Sequence, residues 1–334
     1  MGKIIAVVVT YNRLQLLTEC IQALRNQTKS LDKILVINNG SSDNTENWLK
    51  QQDDLVFITQ NNCGSGGGFC KGIQWAYDHG FTWIWCMDDD GYSKNDALEY
   101  LLKANVGNEI PLLNCAVIDK EDKKSFVWKT QQYTSLENVD CEMIHGKGHP
   151  FNGTLIHRKI VERAGLPQAK LFLWGDETEY YYRITRKNKI PVITVTSSIH
   201  FHPSSVFSIR KDWDYASSWK MYYYIRNRLS IHKSKFQNKT IAIINYTSFI
   251  VAFLGLIIFF QKTNKIKKVA FLFWPLSDAI FNNYKATPTN VLFRLRKNME
   301  YSYVTKLKRF FDKIFPGLHI SSFPSNSNQP AKST

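Results

Sequence analysis

The sequence predicts an α/β protein built on a doubly wound sheet, and three observations carry that prediction. Over residues 4–87, short β-branched runs alternate strictly with stretches whose apolar residues recur at helical spacing. The strand-like runs are apolar on both faces, as strands covered by helices on both sides must be. A polar cluster rich in Asn, Ser, Gly or Asp follows each run, where a strand hands over to the next element.

The elements follow in order. "IIAVVVTY" reads as a buried first strand, and "LQLLTECIQALRNQ" as an amphipathic helix. "KILVINN" is the second strand. "SSDNTENWLKQQ" opens a helix with Ser/Asp/Asn capping chemistry. "LVFITQ" is the third strand. "GGGFCKGIQWAYDHG" starts on glycines and stops at Gly80, as helices with a glycine C-terminal stop do. "FTWIWCM" is the fourth strand and runs straight into Asp88, Asp89 and Asp90.

In doubly wound sheets, ligands bind beyond the carboxyl ends of the strands. That rule gathers "TYN", "NNGSSD", "QNNCGSGGG" and "DDDG" on one rim. After residue 110 the pattern loosens into mixed strands and loops. The halves divide at about residue 110, and in a two-part α/β enzyme the second, about 111–208, more often supplies the acceptor side than the nucleotide side.

At 334 residues, 44% hydrophobic and 14% aromatic, the chain has the composition of a folded protein with a large core. Six cysteines (Cys20, Cys63, Cys70, Cys86, Cys115 and Cys141) lack zinc-type spacing, and several fall in apolar runs. They read as reduced thiols of a cytosolic protein. The apolar run after Met1 is one strand long and has no leader pattern, so the N-terminus is expected to be structural.

The net charge of +15 lies almost entirely after residue 208, beside apolar runs. A nucleic-acid binder would carry its basic face on the folded part, so the expected partner is an anionic membrane surface and no nucleic acid. "TIAIINYTSFIVAFLGLIIFF", residues 240–260, is long enough to cross a bilayer, for which about 20 apolar residues suffice. It reads as a spanning helix, an in-plane or re-entrant helix, or a buried helix of a soluble dimer. Lys233, Lys235 and Lys239 precede it, and Lys262, Lys265, Lys267 and Lys268 follow it, whereas a single span biases lysine to one side. The flanks favour a helix lying in, or dipping into, the cytoplasmic leaflet. A second run, "VAFLFWPLSDAIF", is interrupted by Pro275. Residues 209–315 thus form a basic, apolar helical extension, and the composition of 316–334 predicts a disordered tail.

The aspartates carry the chemistry. An acidic triplet is ordinarily a solvated turn, but this one follows a buried strand and lies on the ligand rim. Carboxylates packed this closely call for a hard divalent cation, and Mg²⁺ or Mn²⁺ held by one or two carboxylates plus diphosphate oxygens is the usual arrangement. The glycine loop Asn61–Phe69 opens a helix, so it is either a flexible turn or a close approach to phosphate or sugar. It lacks the Lys-Ser/Thr ending of a P-loop and follows the third strand, so it matches neither a P-loop nor a dinucleotide fingerprint. "GDETEYYYR" sets Asp176 and Glu177 beside Phe172 and Trp174, and "SSIHFHP" puts His200 and His202 on one face of a strand end. "KDWDYASSWKMYYYIRNRL" offers Tyr223, Arg226 and Asn227, either as groups bordering a ligand or as an aromatic core helix. "FNGT" matches a glycosylation sequon, and an acceptor-side loop around Gly153 is the better reading.

In order and spacing, "VVVTYNR", "VINNGSSDNT", "NNCGSGGGF", "MDDDG" and "FLWGDETEYYYR" resemble family 2 glycosyltransferases. Within these the chain is similar to bacterial rhamnosyl- and galactofuranosyltransferases of surface polysaccharide synthesis. The resemblance covers roughly residues 3–232 and implies a GT-A fold: a Rossmann-like, doubly wound mixed sheet, here followed by the membrane-associating extension. It implies that Thr10 and Tyr11 contact the nucleotide base. Asn38 stands where the family usually has an aspartate, and an amide can donate as well as accept. Asn12, Asn39, Asn62, Gly64, Gly67, Asp88 and Asp89 complete the expected nucleotide-sugar site. Asp88 and Asp90 take the ends of the DxD motif and Asp89 its middle, with His200 as third metal ligand and His202 in reserve. Glu177, with Asp176 beside it, takes the place of the catalytic base.

These residues together predict an inverting, metal-dependent transfer from a UDP- or dTDP-sugar, galactofuranose or rhamnose, to a lipid-linked glycan at the cytoplasmic membrane face. A nucleotidyltransferase of similar shape and a catalytically silent glycan-binding protein are the rival readings.

Overall fold

The computed structural model describes residues 2–104, 110–204 and 208–297; the expected tail at 316–334 lies outside them. The first half runs β1 (Ile4–Thr10), α1 (Leu14–Arg25), β2 (Lys33–Asn38), α2 (Thr45–Leu49), β3 (Leu55–Thr59), α3 (Gly64–Asp78) and β4 (Trp83–Asp88). These are the predicted strands and helices, with ends shifted by a few residues. Then come β5 (Tyr92–Ser93), α4 (Ala97–Lys103), β6 (Leu112–Asp119), β7 (Ser125–Thr130), β8 (Tyr133–Ser135), β9 (Met143–His145), β10 (Asn152–His157), α5 (Arg158–Ala164), α6 (Asp176–Tyr182) and β11 (Val192–His202). The chain continues through α7 (Lys220–Lys235), α8 (Lys239–Phe260), α9 (Lys265–Ile280) and α10 (Pro288–Arg296).

The main sheet has the order β3-β2-β1-β4-β10-β6-β11-β5. β1 pairs in parallel with β2 and β4, and β2 with β3. β10 then runs antiparallel to both β4 and β6, while β11 is parallel to β6, so the sheet is mixed. Alternation along β1 explains why it is apolar throughout. Ala6 and Val8 face a core with Leu17 and Ile21 of α1, and Ile5, Val7 and Val9 face another with Phe69 and Ile73 of α3. Each fully buried Ile or Val stabilises by roughly 1.5–3 kcal/mol, so both layers hold the central strand.

Two local details depart from the sequence reading. The second helix is shorter than residues 41–52, and its N-terminal amide at Thr45 is bonded by Asp43 Oδ1 at 3.0 Å rather than by the residue at the cap itself. Asp43 Oδ2 also accepts from the Leu14 amide, so one carboxylate ties two rim loops together. Pro275 does not interrupt the second apolar run. It sits buried inside α9, which continues past it without the bond to the Phe271 carbonyl that the ring cannot make.

A third core joins α7, α8, α9 and α10 to Trp213, Tyr215 and the 172–174 loop. α8 turns Ala242, Tyr246, Phe253 and Ile257 into that core. Ile244, Val251, Ile258 and Phe259 are exposed, Phe259 at 80%.

Candidate active site

The four rim loops do meet. They line a cleft of about 850 Å³ whose opposite walls come from β7, the 148–152 loop, the 172–178 segment, α7 and the first turn of α10. A more open hollow of about 1030 Å³ lies between α1 and the 92–96 loop, but it holds none of the three aspartates and none of the glycines. The chemistry belongs to the cleft.

Of the site residues expected from the sequence, Thr10, Tyr11, Asn39, Asn62, Gly64, Asp88, Asp89, Asp90, Asp176 and Glu177 line the cleft. Four predicted residues do not line it. Asn38 is fully buried: its Oδ1 accepts from Ser41 N and its Nδ2 donates to Thr59 Oγ1, so the amide braces β2 against its neighbours. Asn12 has φ of 54° and turns its side chain to the Ser42 amide and hydroxyl. Gly67 faces Cys63 in the first turn of α3, where an added Cβ would stand 2.3 Å from that residue's Cβ. His200 is the fourth.

The glycine loop is partly a packing device. Gly72 of α3 lies so close to β1 that an added Cβ would meet Val7 Cγ1 at 2.3 Å. Gly64, at φ +68°, makes the turn and faces the cleft, while the Gly66 amide at the helix start is already given to the Phe172 carbonyl at 3.0 Å.

The three aspartates take different roles. Asp89 points inward, accepting from Thr10 Oγ1 at 2.7 Å and pairing with Arg13 Nη1 at 3.2 Å, so it holds the loop. Burial outweighs those bonds and raises its pKa to about 6. Asp90 pairs with Arg13 at 2.8 Å, and its Oδ1 lies 3.3 Å from His202 Nε2. Burial opposes its ionisation, but His202 and Arg13 prevail and hold it at about 2. Asp88 is pushed well above the carboxylate range by burial and by the charges of Asp90 and Asp89. Arg13 leaves this rim short of positive charge.

His202, not His200, stands where a third ligand would. Its Nδ1 lies 2.8 Å from the Pro203 carbonyl, which can only accept, so Nδ1 carries a proton and Nε2 is the nitrogen presented to Asp90. Apart from that nitrogen at 3.3 Å, Asp90 Oδ1 is buried without a hydrogen-bond partner. Oxygen donors from Asp88 and Asp90 with one imidazole nitrogen suit Mn²⁺ or Mg²⁺, and the His202 tautomer is the one metal-binding histidines adopt. Among the described residues, no three His, Cys, Asp or Glu side chains stand close enough together to hold a metal ion by themselves. His200 lies fully buried behind Gly91, where a Cβ would come within 2.2 Å of its Nε2. The short β5 pairs across it, Ser93 Oγ lies 2.9 Å from its Nδ1, and burial lowers its pKa to about 3.

Across the cleft, α6 separates three acids by function. Glu179 is buried, pairs with Arg183 at 3.0 Å and accepts from Ser234 Oγ of α7 at 2.7 Å, so it fastens two helices. Asp176 is buried, accepts from Ser65 Oγ at 2.8 Å, and is raised well above the carboxylate range by burial and by Glu177. Glu177 lines the cleft and remains partly exposed. The loop before it is strained, with Phe172 at φ 68° and Trp174 at φ 55°. Asn227 Nδ2 holds that loop through the carbonyls of Leu171, Leu173 and Trp174, and Arg226 Nη2 donates to the carbonyls of Lys170 and Leu171. Arg226, Asn227 and Tyr223 therefore support the site from behind and do not border the cleft.

Arg13, Lys220 and Trp128 are cleft residues that the sequence reading passed over. Arg13 directly follows "TYN", and its charge beside an acidic rim was the available signal. Lys220 Nζ lies 5.6 Å and 5.8 Å from the Trp174 and Trp219 rings, which surround a cation in aromatic faces. Trp128 tilts over His149 and His202 at 4.9 Å and 5.2 Å. Only tertiary pairing brings either to the cleft.

Residues 5–165 match the family model Glycosyl transferase family 2. The galactofuranosyltransferase GlfT1 of Mycolicibacterium smegmatis is 27% identical over 212 residues, covering 59% of this chain and 70% of its own length. The protein of that name from Mycobacterium tuberculosis is 27% identical over 213 residues, covering 60% and 70%. The crystal structure of S. aureus TarS aligns with 92% of this chain at a TM-score of 0.50 and 13% identity. The aligned part is 54% of TarS, so the chain spans about half of that protein's length and the likeness is one of fold.

Proposed function

Residues 5–165 make this chain a glycosyltransferase of family 2, and from that premise we propose that it is an inverting, metal-dependent enzyme acting on a lipid-linked glycan. The donor is a UDP- or dTDP-sugar. Galactofuranose comes first, because the GlfT1 proteins are named for it, with rhamnose as the alternative. The observation that carries the reading is the opposition, across one cleft, of Asp88, Asp90 and His202 to Glu177.

Asp88, Asp90 and His202 would hold Mn²⁺ or Mg²⁺, which supplies Lewis-acid charge for a departing diphosphate. His202 thereby replaces His200 in the expected ligand set. Arg13 and Lys220 add fixed positive charge where the diphosphate lies. Glu177 takes the proton of the acceptor hydroxyl as it attacks the anomeric carbon. Asp176 lies beside it, its carboxyl pushed well above the usual carboxylate range by burial and by Glu177. An acceptor on a lipid suits the basic, apolar extension, and the two together support work at the cytoplasmic face of the membrane.

The test is a screen of UDP-galactofuranose, dTDP-rhamnose and other nucleotide sugars for nucleotide release with a synthetic lipid-linked acceptor, with and without Mn²⁺ or Mg²⁺. One donor should turn over only with metal, and Asp90→Ala should abolish that turnover. Full activity in the presence of a chelator would remove the metal from the scheme, and failure of every donor would remove the transfer.

A further inference from the structure

α8 is a helix of 22 residues, about 33 Å long, which matches the roughly 30 Å hydrocarbon core of a bilayer. Its two ends are nevertheless both fastened to the same globular body. At the N-terminal end, Gln237 Nε2 donates to the Arg186 carbonyl, just beyond the catalytic helix α6. At the C-terminal end, Gln261 accepts from the Trp213 amide and donates to the carbonyls of Ile209 and Lys211. Asp212 accepts from the amides of Lys262 and Thr263 and from the buried Lys268 Nζ at 2.7 Å. A helix crossing the bilayer would place one of these attachments on the far side, which a single folded body does not allow.

The outer stripe of α8 has the character of a lipid-facing surface. Ile244, Val251, Ile258 and Phe259 recur at helical spacing and are 57%, 64%, 48% and 80% exposed. Polar side chains near this stripe are turned onto the helix itself: Asn245 donates to the Ile241 carbonyl and Ser248 to the Ile244 carbonyl, each at 3.0 Å. Exposed Lys233, Lys235 and Lys239 at one end, with Lys262 and Lys265 at the other, complement an anionic surface.

We propose that α8 lies parallel to an anionic lipid surface, with the Ile244–Val251–Ile258–Phe259 stripe among the acyl chains of one leaflet and the lysines at both ends on headgroups. This deepens the membrane-face reading above and rests on it. At residues 240–260 the helix enters one leaflet and does not cross the bilayer.

The experiment uses the full chain and vesicles of phosphatidylcholine with or without phosphatidylglycerol. Binding is followed by flotation without donor or acceptor, so it is independent of the transfer reaction. The parent should float with anionic vesicles and lose that binding in high salt. The double variant Val251→Glu, Phe259→Glu should bind about tenfold more weakly or worse, while its nucleotide release with a water-soluble acceptor fragment stays at the parent level. Thr240→Cys and Lys262→Cys, labelled on bound vesicles by a membrane-impermeant maleimide and mapped by mass, should both react from outside. Protection of either end would overturn the in-plane placement. Absence of vesicle binding, or a dimer that forms without lipid and is lost in the double variant, would overturn the lipid as occupant of this face. Loss of transfer with binding intact would instead count against the enzymatic reading.

Discussion

The main sheet and the helical extension dispose of their apolar residues in opposite ways. Over β1 to β4 the large apolar side chains are covered on both sides, and the polar residues gather at one rim. From α8 to α10 a core of comparable chemistry forms on one side only, and Val251, Phe259, Phe281 and Phe293 stay exposed. The difference shows that apolar content alone does not say where a surface ends. In the sheet, burial is completed by the chain's own helices. In the extension the described residues leave it incomplete on the outer face.

If the regions are separable in role, damage to one should leave the other's property intact. The largest effect is expected from Glu177→Gln, which removes the base while keeping the shape. Single-turnover rates should fall by about 10³-fold with vesicle flotation unchanged. Equal loss of both properties would break the division.

The two histidines sharpen it further. His202→Ala should weaken Mn²⁺ binding about tenfold or more by calorimetry. His200→Ala should leave Mn²⁺ affinity alone and cost about 1–3 kcal/mol in denaturant unfolding, because it empties a buried site behind Gly91. A reversed pattern would restore His200 as the ligand.

The acidic rim has a pH signature. Asp89 is raised to about 6, so the folded state binds a proton more tightly than the unfolded chain does. Its contribution favours folding at low pH and is lost as pH rises from about 4 through 6, a swing on the order of 3 kcal/mol. Asp90, held at about 2, contributes the opposite way and loses its contribution only as pH falls below about 4. A divalent cation relieves the repulsion that remains at neutral pH. Mn²⁺ should therefore raise the Tm more at about pH 7.5 than at about pH 5, and a gain independent of pH would count against a carboxylate-bound cation.

Asn227→Ala should give the smallest of these effects on stability, about 1–2 kcal/mol, because it frees carbonyls of a partly exposed loop. Its distinguishing readout is a fall in kcat with donor KM unchanged, since the loop it holds leads into Glu177. A change confined to stability would make Asn227 a packing residue only.

Much of the fold was legible because the alternation of strand and helix in residues 4–88 is set by local periodicity. The rim followed from topology, which set Asp88 and Asp90 beside the asparagine and glycine loops before any distance was known, while Glu177 came from the resemblance carried by "GDETEYYYR". What was not legible depends on register and on long-range pairing. His200 and His202 share a strand face, so periodicity treats them alike; β5 pairing across His200 is what separates them. Asn38 sits at a strand end like a ligand-binding residue, yet Ser41 and Thr59 use both of its polar ends. The flanking lysines favoured an in-plane helix for residues 240–260 but could not show how its far end is held, because the Asp212 and Gln261 bonds there join residues about fifty apart.

The bond from Ser234 to Glu179, together with the Asn227 bonds to the 171–174 loop, has an engineering consequence. The extension is the outer wall of the 171–175 loop, not an appendage fitted after residue 208. A chimera that keeps the sheet and takes its helices from a relative would inherit a strained loop with nothing to hold it. Exchange of donor or acceptor preference between relatives should therefore succeed only when α6, the 171–175 loop and α7 travel as one cassette.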